Sequence, residues 1–170
     1  MAFIGVVMLL IGMLLLVNAL WLQGKVETRD VGVFNLMIGL LTVGYSAYLG
    51  VQEGNAHLSA AFMLFGVTYA WVGVNAIRGA TDQKALGFYC LLVAILTLPF
   101  AYKTFLAGDL LFTIEWIAFG ITWFLFYKLL FTGSNVVKPL VMMVYLVGFG
   151  AAFTGWSMLY GYWPYISLAA

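Results

Sequence analysis

Apolar residues run almost unbroken along this chain in six stretches, at about residues 2–22, 32–50, 58–77, 85–103, 108–130 and 138–160. Each is close to the roughly 20 residues a helix needs to cross a hydrocarbon layer ~30 Å thick. None shows the strict alternation of a strand with one wet face and one lipid face, so a membrane β-barrel is set aside. The breaks carry turn and charge signals: Gln23-Gly24-Lys25 through Asp30, Gln52-Glu53-Gly54-Asn55, Arg78 through Lys84, Ala107-Gly108-Asp109 and Thr132-Gly133-Ser134-Asn135. Loops this short leave no room for a second domain. The pattern predicts an all-α integral membrane protein, a single six-transmembrane-helix bundle over residues 1–170.

Composition agrees with the pattern. The chain is 65% hydrophobic and 8% charged, too little polar surface to cover a soluble core. Its net charge of +1 hides an asymmetry, because Lys25, Arg29, Arg78, Lys84, Lys128 and Lys138 follow the first, third and fifth stretches and only Lys103 lies on the other side. Basic loops stay cytoplasmic, which places both termini outside. Six cations spread over three loops form no continuous patch, so nucleic acid is not an expected partner. The first stretch lacks a positive leader region and is longer than a signal core, and it reads as an uncleaved span.

Few side chains offer chemistry. His57 is the sole histidine and Cys90 the sole cysteine, so paired haem ligands, a His/Cys metal site and an intrachain disulfide all fail on ligand count. No glycine-rich phosphate loop and no serine–histidine pairing is present. The expectation is a protein that is not an enzyme and carries neither metal nor cofactor. His57 is expected in or near an outward loop, where a solvated histidine is the plainer reading and a pH-sensitive one the other.

Polar groups inside the spans are the informative exceptions. Asn18 and Asn75 occupy related stretches, Val17-Asn18-Ala19-Leu20 and Val74-Asn75-Ala76-Ile77, and either bond across helices or contact a solute. Asn35 reads as a packing or interfacial group. Glu115 sits one or two turns inside the outer end of the fifth helix, where a carboxylate is costly unless hydrated, paired or protonated. A short repeat completes the set: Phe65-Gly66-Val67-Thr68-Tyr69 in the third stretch returns as Phe119-Gly120-Ile121-Thr122-Trp123 in the fifth. Each copy ends in an aromatic with a polar handle that needs a partner in an apolar setting. Residues 115, 119 and 122 share one helical face and 116, 119, 120 and 123 the adjacent one. Helical spacing therefore predicts one cavity bordered by Glu115, Trp116, Phe119 and Trp123, with Phe65 and Tyr69 a turn apart on the third helix. The competing reading is that these aromatics fill gaps between helices. Gly148/Ala152 and Ala151/Gly155 give the sixth helix a small-residue surface for close packing, and Tyr162, Trp163 and Tyr165 look like interfacial anchors.

In their order and spacing, these residues resemble the bacterial AmiS/UreI family of urea and short-chain amide channels. The likeness covers nearly the whole chain: Asn18 with Gly24-Lys25-Val26, Asn35 with Gly39, Phe65-Gly66-x-Thr68-Tyr69 with Asn75, Thr97-Leu98-Pro99, and Trp116-x-x-Phe119-Gly120-x-x-Trp123. The resemblance implies a homo-hexamer in a bacterial plasma membrane, each protomer with its own urea pathway. It implies constrictions lined by Phe65, Tyr69, Trp116, Phe119 and Trp123, with Asn18 nearby. Phe119 stands where relatives often have tryptophan. Acid-gated members also carry a long histidine-bearing loop after the second helix and a carboxylate in the sixth, whereas this chain has a short loop and no acid between 139 and 160. Three functions follow for testing. The first is a passive channel for urea and small amides, without acid gating, whose partners are its permeant and the surrounding lipid. The second is a proton-coupled amide transporter using Glu115, and the third a membrane scaffold that moves nothing.

Overall fold

The computed structural model describes residues 2–163, and it is helical throughout its length: α1 Ala2–Leu22, α2 Thr28–Val51, α3 Ala56–Ile77, α4 Lys84–Leu106, α5 Leu110–Leu130 and α6 Val137–Leu159. All six are long and apolar enough to cross a membrane. In lipid every backbone N–H and C=O must be satisfied within its own segment, and a helix does this without a neighbour. Tyr165 lies outside the described residues.

Helix ends differ from the hydropathy pattern by a few residues for a local reason. Thr28, Arg29 and Asp30 form the first turn of α2 although they are polar, because hydropathy marks the lipid boundary while the helix continues into the headgroup layer. Asn55 and Asp109 cap α3 and α5, their side chains accepting the Leu58 N–H at 3.1 Å and the Phe112 N–H at 3.0 Å. Gly108 does not open α5 as the pattern predicts. It has φ +77°, a left-handed conformation that ends the preceding helix and that glycine adopts without a Cβ clash.

The six helices form a closed ring in chain order. Each packs on its neighbours in sequence, and α6 closes on α1. The packing alternates between close and loose: α1 with α6, α2 with α3 and α4 with α5 make the extensive interfaces, whereas the α1–α2, α3–α4 and α5–α6 seams are sparse. Three tight pairs thus surround one axis. Side chains of α1, α3 and α5 meet across that axis.

Close pairing depends on missing side chains. A Cβ on Gly12 would lie 2.3 Å from the backbone nitrogen of Ala152, and one on Gly39 would lie 2.3 Å from that of Ala70. The small-residue surface of α6 therefore meets α1 of the same chain, with Gly155 against Leu9 and Gly148 against Leu15 and Leu16. Between helices in lipid there is little hydrophobic drive, and van der Waals contact at this range is what holds them together.

Gly12→Ala is accordingly expected to push α6 off α1 and lower stability by about 1–3 kcal/mol, the usual effect of overpacking. Gly44→Ala is the matched control, since a Cβ there meets nothing within 4 Å. Thermal unfolding of both variants in detergent checks this; a Gly12→Ala midpoint equal to that of Gly44→Ala would mean that the α1–α6 contact is not limiting.

Candidate functional site

The ring's axis is filled by an aromatic column drawn from α3, α4 and α5. Phe65 is its hub, with ring centroids 5.4 Å from Trp116, 4.9 Å from Phe119 and 5.0 Å from Trp123. Trp116 stacks in turn on Phe100 at 4.8 Å, and Trp123 meets Tyr69 edge-on at 6.1 Å. These rings share the axis because α3 and α5 run in the same direction, and their repeated five-residue segments face each other across it. Helical spacing does the rest. Phe65 and Tyr69, like Phe119 and Trp123, are one turn apart.

Two cavities lie along the axis. One is about 200 Å³, at the end that carries the basic loops, lined by Leu15, Asn18 and Leu22 of α1, Thr68 and Tyr69 of α3, Leu86 and Cys90 of α4, and Trp123 of α5 among others. The second is about 10 Å³ and lies between Met8, Phe62, Phe65, Phe112, Trp116 and Phe119. That is close to the least that holds one water, ~10–15 Å³. A planar solute sandwiched between two rings needs them ~7–8 Å apart, twice a carbon–carbon contact of ~3.5–4 Å. With Phe65 and Trp116 stacked at 5.4 Å, this part of the axis has no room for such a solute between the rings.

Polar groups at the larger cavity are few and specifically placed. The Trp123 indole N–H donates to the Thr68 hydroxyl at 3.2 Å, which itself donates to the Leu64 carbonyl at 2.8 Å. The Tyr69 hydroxyl is buried with no hydrogen-bond partner among the described residues. Asn18 lines the cavity and exchanges a pair of hydrogen bonds with Asn35. A buried hydroxyl without a partner carries a desolvation cost, and Tyr69 lines the larger of the two axial cavities.

The structure divides the single cavity that helical spacing predicts around Glu115, Trp116, Phe119 and Trp123. Residues i and i+4 on a helix are about 40° apart around its axis at 3.6 residues per turn, and the edge between two flanks of α5 runs between Glu115 and Phe119. Glu115 turns toward α6. It accepts a hydrogen bond from Thr154 and lines a crevice of about 210 Å³ on the α5–α6 seam with Gly150, Phe153 and Trp163. Its other carboxylate oxygen is buried without a hydrogen-bond partner among the described residues. Thr122 is fully buried, donates to the Ala118 carbonyl at 2.8 Å and lines neither axial cavity.

Other placements refine the sequence reading. His57 lies in the first turn of α3, next to the loop near which the sequence puts it, half-buried, with its ring 4.8 Å from that of Phe100. Trp163 is more than an interfacial anchor, since its indole donates to Asp109 at 3.1 Å and ties the chain after α6 to the start of α5. Phe100 and Phe112 join the column, and Phe62 lines the small cavity beside it, although sequence reasoning passed over them. Phe100 follows the Thr97-Leu98-Pro99 motif directly, and that adjacency was its one available signal. Gly120 brings α4 close enough for this contact, because a Cβ there would meet the Thr97 hydroxyl at 2.4 Å.

The fold defines a multi-pass helical membrane protein, built as one ring of six helices around a central axis. The sequence matches the AmiS/UreI family of transporters over residues 3–162, and the chain belongs to that family. Among its relatives is a candidate transporter of amidate substrates from Mycolicibacterium smegmatis, 30% identical over 145 residues that span 82% of this chain and 68% of that protein. Another is the candidate transporter AmiS2 of Rhodococcus erythropolis, 30% identical over 157 residues, 89% of this chain and 69% of that protein. The crystal structure of the urea channel from Helicobacter pylori superposes with a TM-score of 0.83 at 23% identity, covering 94% of this chain and 99% of that one. At that identity the likeness establishes the fold.

Thr68→Val removes the acceptor of the Trp123 indole while keeping the side chain's shape. The stranded N–H is expected to cost about 1–3 kcal/mol, whereas Thr68→Ser keeps the hydroxyl and stays near the parent. Detergent unfolding followed by tryptophan emission checks this, and equal losses in the two variants would show that the bond contributes nothing.

Proposed function

We propose that this chain is a passive membrane channel for urea and short aliphatic amides, with the axial aromatic column as its selective constriction. The observation that carries the reading is the Tyr69 hydroxyl, buried without a hydrogen-bond partner among the described residues, on a residue that lines a cavity of about 200 Å³ together with Asn18 and Trp123. A small amide supplies what that hydroxyl lacks. Its flat faces suit aromatic rings, and its edge carries both N–H donors and a carbonyl acceptor. An ion entering the same column loses its hydration shell and meets no compensating charge, so the barrier to it is far higher. The family, a relative named as a transporter of amidate substrates, and a urea channel of the same fold support this substrate class.

Along the axis, Asn18, Phe65, Tyr69, Trp116, Phe119 and Trp123 are the pathway residues in this reading, and Phe100 joins them. Passive flow is favoured over proton coupling because Glu115 turns to the α5–α6 seam, away from the two axial cavities. A carboxylate that couples protons to solute has to sense the solute. The asymmetry of basic residues orients the protomer with both ends outward and the larger cavity toward the cytoplasm of a bacterial cell. Assembly as a homo-hexamer in the plasma membrane follows the family resemblance.

In proteoliposomes, stopped-flow shrinkage is expected to report downhill, non-concentrative urea flux. Trp123→Ala should change flux or urea-over-ion selectivity at least severalfold, while Trp156→Ala, on the exposed face of α6, should leave both near the parent. Identical behaviour of the two variants removes Trp123 from the pathway.

Flux is also expected to change little between pH 5 and pH 7.5, since one histidine stands where gating needs groups whose charge moves a bistable element, and an unperturbed histidine titrates near ~6.5. Glu115→Gln should keep downhill flux within severalfold. Tenfold activation at pH 5 that disappears in His57→Ala would make the His57–Phe100 contact a gate and overturn this point. Accumulation of urea against its gradient, lost in Glu115→Gln, would establish the proton-coupled reading instead.

A further inference from the structure

Asn35 lines neither axial cavity, yet its amide is the fixed reference for one that does. Its Nδ2 donates to the Val31 carbonyl at 2.9 Å and to the Asn18 Oδ1 at 2.7 Å, and its Oδ1 accepts from the Asn18 Nδ2 at 3.1 Å. Asn35 is fully buried, while Asn18 is 6% exposed and borders the larger cavity.

We propose that Asn35 is a positioning residue that sets the solute selectivity of this cavity by locking the direction of the Asn18 amide. The inference rests on reading the cavity as an amide pathway. A primary amide has two ends of nearly equal size, one accepting and one donating, and an isolated Asn18 could present either end in either direction. The Val31 carbonyl removes that freedom. A carbonyl only accepts, so the NH₂ end of Asn35 must face it, and the same NH₂ then requires the oxygen end of Asn18. The direction of a backbone carbonyl in α2 is thereby transmitted to the cavity wall.

The pairing leaves Asn18 with one N–H and one oxygen lone pair, pointing away from each other at the two ends of its amide. A solute moving along the wall meets a donor and an acceptor in a set order, in a cavity that Tyr69 also lines. An amide is sensitive to that order because its donors and acceptor occupy fixed places in one plane. A polyol is not, since each hydroxyl rotates to donate or accept. Holding Asn18 in one direction therefore favours amides over polyols of similar size, and freeing it erases the preference without closing the path.

The test measures permeability to acetamide and to glycerol in the same proteoliposomes. The variants are Asn35→Leu, Asn35→Ser, Asn18→Leu and Asn18→Leu with Asn35→Leu. Size-exclusion profiles confirm folded protein, and the serine variant serves if the leucine variant fails to fold. The acetamide-to-glycerol ratio is expected to fall about two- to tenfold in each single variant, the range of one net hydrogen bond. The double variant should fall no further than Asn18→Leu alone. A purely structural role for Asn35 lowers both permeabilities together and leaves the ratio in place. That outcome, with the ratio still falling in Asn18→Leu, overturns the inference and leaves the cavity reading intact. Absence of protein-dependent flux of either solute in the parent overturns the cavity reading and the inference with it.

Discussion

Backbone-to-backbone contact within helix pairs is the constraint on which this architecture rests. Where Gly12 meets Ala152 and Gly39 meets Ala70, a single methyl group on glycine has no room. Lipid tails are as apolar as the helix surfaces they would replace, so the gain on pairing comes from the number of atoms brought into contact. Three such pairs draw on small residues inside the helices, as at Gly12, Gly39 and Gly87. Large side chains are then left for the axis and for the lipid face.

That division of sizes has a functional consequence. Paired helices at close range form rigid walls, and the sparse seams between pairs leave a central space whose width the side chains of α1, α3 and α5 decide. Aromatic rings fill it with few rotatable bonds and flat faces, which suits a narrow path for flat solutes better than flexible aliphatic chains would. Because Phe65 touches three other rings of the column, no one of these rings can move without its neighbours adjusting. Polar groups are added sparingly. Thr68 satisfies the Trp123 indole and Asn35 satisfies Asn18, so the wall carries hydrogen-bonding capacity without a net charge that would attract ions.

The α5–α6 seam shows the same logic from the other side. Glu115 is the carboxylate most deeply set among the apolar spans, and Thr154 binds one of its oxygens. At the end of the same seam, Trp163 bonds the Asp109 cap of α5. Polar bonds here join two helices whose backbones do not approach closely, doing at a loose seam what glycine contacts do within a tight pair.

How much of this was legible beforehand depends on the range of the interaction. The six spans, the all-α class and the existence of two aromatic repeats with their rings one turn apart were determined by the sequence alone, because lipid thickness and the helical period act on neighbouring residues. Because the third and fifth of six successive spans cross the membrane in the same direction, Phe65-Gly66-x-Thr68-Tyr69 and Phe119-Gly120-x-x-Trp123 were placed on helices of one direction. Only the tertiary structure decided that α6 closes on α1, that Asn18 pairs with Asn35 instead of its sequence counterpart Asn75, that Phe100 completes the column, and that Glu115 leaves the axis for Thr154. Each of these is a choice among partners distant in the chain. A 40° difference around a helix settles which flank a side chain joins, and that angle acquires meaning only once the neighbouring helices are in place.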